Sequence, residues 1–178
     1  MDDSLLLSPD HVTLVDTNVF ISAGNPGRSK HRRFRRVVRR AGVTLLVPAR
    51  VEEEIEQGGV KPALERAREE GWAEIVEAPT VSHSKATAAR DIARRAIAAK
   101  SAEKAEHDVE KVDPVFAGLA VECLLDEGLG DDVTVITADR LAREAIETAM
   151  ASLGYGGQIS VITLWDLIDT EDDDITLI

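Results

Sequence analysis

Residues 12–20 read VTLVDTNVF, a short apolar run that ends on the carboxylate of Asp16. Thr17 and Asn18, two side chains able to hydrogen-bond, follow at once, and apolar residues resume at Val19. β-Branched and aliphatic residues before an abrupt acid describe a buried strand that delivers Asp16 at its C-terminal end. In an open α/β sheet that end borders the crevice where ligands are held. The rest of the chain bears on whether other acids reach the same place.

Working outward, a turn rich in Gly, Asn and Pro (AGNPG, 23–27) leads to a basic helix over 29–40, with Phe34, Val37 and Val38 as its apolar side and Gly42 closing it. VTLLV (43–47) is a second strand broken by Pro48, and a helix over 49–57 is stopped by Gly58 and Gly59. A short helix over 61–70 precedes a third strand, AEIVEA (73–78), ended by Pro79. Residues 82–110 are rich in Ala, Arg and Glu and lack Gly and Pro, so they are helical by propensity. Asp113-Pro114 opens a helix to about 127, VTVIT (133–137) is a buried strand, and Asp139 begins a helix to about 152. ISVIT (159–163) and a short helix over 164–168 complete the pattern. Five short β runs alternating with helices predict a three-layer α/β/α fold around a central parallel sheet of about five strands. Residues 1–168 are expected to form one domain, with an acidic tail over 169–178.

The composition, 44% apolar and 30% charged, is that of a globular chain. The single Cys123 excludes an intramolecular disulfide and a cysteine-based zinc site, and its setting in LAVECLL makes it a packing residue. Leu5–Leu7 is too short for a signal-peptide core, and no run approaches the ~18 apolar residues that cross a bilayer. A cytoplasmic protein without membrane contact is the expectation. The net charge of −12 opposes non-specific polyanion binding and fits a surface adapted to high salt.

Right-handed crossovers would place the C-terminal ends of all strands along one edge. Asp16 ends the first strand there, and Asp139 follows the fourth in VITAD. Asp113 opens the helix leading into that strand, and Glu52, Glu53 and Glu54 lie on the helix after the second. Taken singly, Asp113 and Asp139 are ordinary helix caps and a helical Glu is ordinarily a solvated face. Together they would repel one another, and a divalent cation with oxygen ligands, Mg²⁺ or Mn²⁺, resolves that repulsion. Asp131 and Asp132 precede the fourth strand and belong at its opposite end.

Four segments in order, VDTNVF (15–20), VPARVEEEI (47–55), DPVFAGLA (113–120) and VITADRLA (135–142), resemble the PIN domain family of metal-dependent ribonucleases. That family includes the toxins of VapBC-type toxin–antitoxin pairs. The resemblance spans about residues 12–168. It implies catalytic and metal-ligating roles for Asp16, Glu54, Asp113 and Asp139, with Glu53 the alternative to Glu54. It also implies that Asn18 and Thr137 orient the carboxylates; Thr137 reads equally well as a β-branched residue filling a strand. Its further implications are an RNA substrate, a homodimer and an antitoxin partner. The segment 60–110 is longer than in compact toxins, and the zinc ribbon of larger processing enzymes is absent.

One stretch reverses the acidic balance. Arg28, Lys30, Arg32, Arg33, Arg35, Arg36, Arg39 and Arg40 follow one another without an intervening acid. They form a candidate RNA-binding surface, or equally a docking face for an acidic partner. Two rival functions stand beside the ribonuclease: an inert PIN-like binding module, and a phosphatase with Asp16 as nucleophile. The phosphatase resemblance calls for a second Asp two residues on, where this chain has Asn18.

Overall fold

The computed structural model describes residues 6–77, 80–101, 113–126 and 132–169. Within them run five strands: β1 (His11–Val15), β2 (Leu45–Pro48), β3 (Ala73–Val76), β4 (Asp132–Thr137) and β5 (Ile159–Thr163). All pair in parallel, in the order β3-β2-β1-β4-β5. The chain builds outward from β1 to β3, then returns to lay β4 on the other side of β1. Between β1 and β4 the strand order therefore reverses, and a crevice opens there at the carboxyl edge.

Eight helices cover the sheet among the described residues. On one side lie α1 (Thr17–Ala23), α2 (Ser29–Ala41), α3 (Ala49–Gln57), α4 (Lys61–Glu69) and α8 (Leu164–Asp169). On the other lie α5 (Ser84–Ser101), α6 (Val115–Leu125) and α7 (Arg140–Leu153). The three layers expected from the alternating pattern are present, and most element boundaries fall within two residues of expectation. The tail beyond residue 169 and the expected continuation of α5 to residue 110 lie outside the described residues.

The sequence alone gave no sign of α1. It begins two residues after β1 ends, so Asp16 is both the exit of a strand and the N-cap residue of a two-turn helix. Thr17, Val19, Phe20 and Ala23 are buried on it. Seven residues carry too few apolar positions for a helical period to be read.

Both sheet faces are packed. Val12, Leu14, Val15, Leu45, Val47, Val133, Val135 and Ile136 are all at most 7% exposed, which explains why these strands read as apolar runs rather than alternating ones. Each such side chain contributes about 1.5–3 kcal/mol of burial. On the α2 side, Phe20 stacks on Trp72 at 6.3 Å, Phe34 meets both edge-on at 6.1 and 5.9 Å, and His31 meets Trp72 edge-on. Glu70 fastens this cluster: its carboxylate accepts from Arg35 Nε at 2.5 Å, Arg35 Nη2 at 3.1 Å and Trp72 Nε1 at 2.9 Å. Those bonds, the Arg35 one first, hold Glu70 down to about 2. Cys123 is buried in α6 and its thiol is pushed up to about 11 by that burial, as suits a packing residue.

Candidate functional site

Asp16 sits at the reversal point, 7% exposed, with its backbone N–H donating to Ile136 O of β4 at 2.9 Å. Burial pushes its carboxyl up from 3.8 to about 7, and the charges of Asp113 and, more weakly, Glu54 add to the rise. The Thr17 N–H and the Thr137 hydroxyl pull it part of the way back. This carboxyl is therefore held where its charge is not compensated.

Glu54 arrives from the second turn of α3. Its Oε2 accepts from Thr17 Oγ1 at 2.6 Å, which ties α3 to the residue beside Asp16. Glu53 and Glu54 are both exposed, and of the two it is Glu54 that hydrogen-bonds the residue beside Asp16. Asp113 accepts the Val115 N–H at 2.9 Å through Oδ1 and an Arg50 guanidinium N–H at 2.8 Å through Oδ2. Asp139 caps α7 through Oδ1, from Leu141 N–H at 2.7 Å and Ala142 N–H at 3.3 Å. Each aspartate is thus held to the backbone by one oxygen, Asp139 as the N-cap of α7 and Asp113 one residue before Pro114, the N-cap of α6.

Thr137 and Asn18 knit the strand ends together. Thr137 Oγ1 lies 3.3 Å from Asp16 Oδ2 and 3.4 Å from Asn18 Oδ1, and accepts the Asp139 N–H at 3.2 Å. Asn18 Oδ1 accepts the Ala138 N–H at 2.8 Å, so α1 is pinned to the end of β4. Asn18→Ala is expected to leave that amide unpaired, cost about 1–2 kcal/mol and loosen divalent-cation binding about tenfold. Urea unfolding beside a Mn²⁺ titration checks this, and unchanged cation affinity would make Asn18 a purely structural tie.

Asp16, Glu54 and Asp113 are thus brought into electrostatic contact, with Asp139 joined to Asp16 through Thr137. Among the described residues, however, no three acidic, histidine or cysteine groups stand close enough to hold a metal ion. Arg50 stands among them: Nη2 also approaches Glu54 Oε1 at 3.9 Å, so its charge lies between two of the acids. The donors are hard oxygens with charge left over, which suits Mg²⁺ or Mn²⁺, but they are not gathered around a point. Arg50 was not singled out from the sequence. Its signal is its place one helical turn before Glu54, on the same face.

Asp132 begins β4 beside His11, at the edge away from these acids. The basic helix is divided. α2 descends from the carboxyl edge to the start of β2 and is about 20 Å long. Lys30, near its first turn, lies over the Trp165 ring at 5.1 Å, and Trp165 Nε1 donates to Ala138 O beside the site. Arg35 is committed to Glu70, and Arg32 to Gly27 O at 2.8 Å. Arg39 and Arg40 stand in the last turn, far from the acids. The eight bases are not one continuous face toward the crevice.

The fold and the site define a doubly wound α/β domain with carboxylates set along the carboxyl edge of its sheet, Asp16 at the reversal point. A family model described as the halobacterial PIN domain matches residues 9–176, and the chain belongs to that family. PIN domains are generally nucleases. No curated protein and no solved structure matches the chain. Among the described residues no helix is long and apolar enough to cross a membrane.

Proposed function

We propose that this protein is a Mg²⁺- or Mn²⁺-dependent ribonuclease in which water attacks a backbone phosphodiester. The observation that carries this reading is the buried carboxyl of Asp16, raised to about 7 beside Asp113 and Glu54. Asp16, Glu54, Asp113 and Asp139 would hold the cation. Bound there, a divalent ion would neutralise the acids, lower the pKa of a bound water and offset charge on the attacked phosphate.

The chain's own residues supply the rest. Thr137 and Asn18 orient Asp16 between strand and helix, Thr17 holds Glu54 toward it, the Val115 N–H holds Asp113, and the cap on α7 aims Asp139. Arg50 balances Asp113 and Glu54 in the absence of a cation. The strongly acidic surface suits high salt, in keeping with a halobacterial family. A homodimer and an antitoxin partner come with the toxin version of this reading. A small DNA-binding protein encoded beside this chain would support that version.

Labelled single-stranded RNA, incubated with Mn²⁺, Mg²⁺ or EDTA, tests the mechanism. Cleavage is expected with either metal, and to disappear in EDTA and in Asp16→Asn. Cleavage that survives both would reject it. The dispersed donors and the charge of Arg50 favour a second reading, an inert RNA- or protein-binding module. No cleavage together with no stabilisation by Mn²⁺ would decide for that module.

A further inference from the structure

Beside the acids, between α3, α5 and α6, lies a cavity of about 340 Å³. Val81, Val115 and Leu119 form its apolar floor, while Arg50, Arg90 and Glu77 are its charged side chains. Its outer wall belongs to the segment whose extra length set this chain apart from compact toxins. That wall is firmly held. The N–H groups of Ser82 and His83 both donate to Glu122 Oε1, at 2.6 and 2.5 Å. Val81 rests on Gly118, where a Cβ would come within 2.9 Å of Val81 Cγ1. The cleft is therefore formed before any ligand arrives.

Arg90 is the informative residue. Its Nε is buried without a hydrogen-bond partner, and no carboxylate among the described residues pairs with its guanidinium. A buried donor left unpaired destabilises the fold unless something binds it. Arg50, the second guanidinium, is shared with Asp113, so cavity and acids have a common wall. In a molecule of net charge −12, a diffuse positive field cannot hold RNA, and built contacts must.

We propose that this cleft is a nucleotide subsite, taking one ribonucleotide of an RNA strand with its phosphate against Arg50 and Arg90. Two guanidiniums suit a phosphate, the apolar floor suits the face of a base, and Glu77 can accept from a base amino group or a ribose hydroxyl. The carboxylate of Glu77 would repel bare inorganic phosphate, so a whole nucleotide is the better occupant. Adjacency to the scissile phosphate rests on the ribonuclease reading; binding itself does not.

Binding of a fluorescein-labelled oligouridylate in EDTA, with uridine monophosphate as competitor, separates the two. Arg90→Met is expected to weaken binding on the order of tenfold while the melting temperature stays equal or rises. Arg95→Met, on the exposed side of the same helix, is expected to change neither. Unaltered affinity in Arg90→Met, or loss of affinity only together with a lowered melting temperature, would overturn the subsite. If the wild-type protein cleaves nothing yet Arg90→Met still loses affinity, the subsite stands and the ribonuclease reading falls. If cleavage occurs and Arg90→Met shifts neither affinity nor KM, the subsite alone falls.

Discussion

Asp16→Asn is expected to make the metal-free protein more stable at pH 8, by about 2–4 kcal/mol, while removing its proposed activity. The sign follows from linkage. The folded carboxyl titrates near 7 and the unfolded one near 3.8, so the native state holds this proton more tightly. A folded group raised in this way contributes stability that is fully present below pH ~4 and lost as pH rises toward 7. The gap corresponds to about 4 kcal/mol at most. An amide keeps the shape, can accept from the Thr137 hydroxyl, and carries no charge for Asp113 and Glu54 to oppose. Urea unfolding in EDTA at pH 5 and pH 8 provides the measurement. The native protein should weaken between those values more than Asp16→Asn does. Saturating Mn²⁺ should then restore the native protein at pH 8, by about 2.7 kcal/mol at a hundred times the Kd, and leave the variant unmoved. Equal stability of the two proteins at pH 8 would mean that Asp16 carries no uncompensated charge.

What could be read from the sequence divides along physical lines. Buried parallel strands announce themselves as β-branched runs: VTVIT and ISVIT fall within the sheet, as do the last three residues of VTLLV. The long helices are marked by Gly42, Gly58 and Gly154 at their ends. Asp16 was legible because an acid that abruptly ends such a run needs a reason. α1 was not, since its two turns are too short to show a period. The distinction between Glu53 and Glu54 needed Thr17, whose contact crosses 37 residues of chain. The basic run shows a related limit. Charge is counted along a sequence, but Arg35 is balanced by Glu70, which arrives from the end of another helix. Equally hidden was Arg90, one basic residue among several in a helical stretch, set apart only by where the fold buries its Nε.

On the ribonuclease proposal, the charge of Arg50 and that of a divalent cation would compete for the same acids. Its guanidinium lies 2.8 Å from Asp113 Oδ2 and 3.9 Å from Glu54 Oε1, and it is half exposed, so solvent screens much of the attraction. A unit charge at about 4 Å is worth from about 1 kcal/mol in water to about 4 kcal/mol near a protein surface. With the exposure of this pair, about 1–2 kcal/mol is the reasonable part. Arg50→Gln is therefore expected to tighten Mn²⁺ binding about five- to thirtyfold at low salt, with the gain shrinking as salt is added. RNA affinity should move the other way, because the same substitution removes one of the two guanidiniums lining the cleft. Opposite shifts in one variant are hard to obtain from general damage to the fold, which would weaken both. Calorimetric titration with Mn²⁺ and fluorescence titration with RNA measure the two halves. Weaker Mn²⁺ binding in Arg50→Gln would show instead that the arginine gathers the acids for the cation, bracing Asp113 and Glu54 against their mutual repulsion.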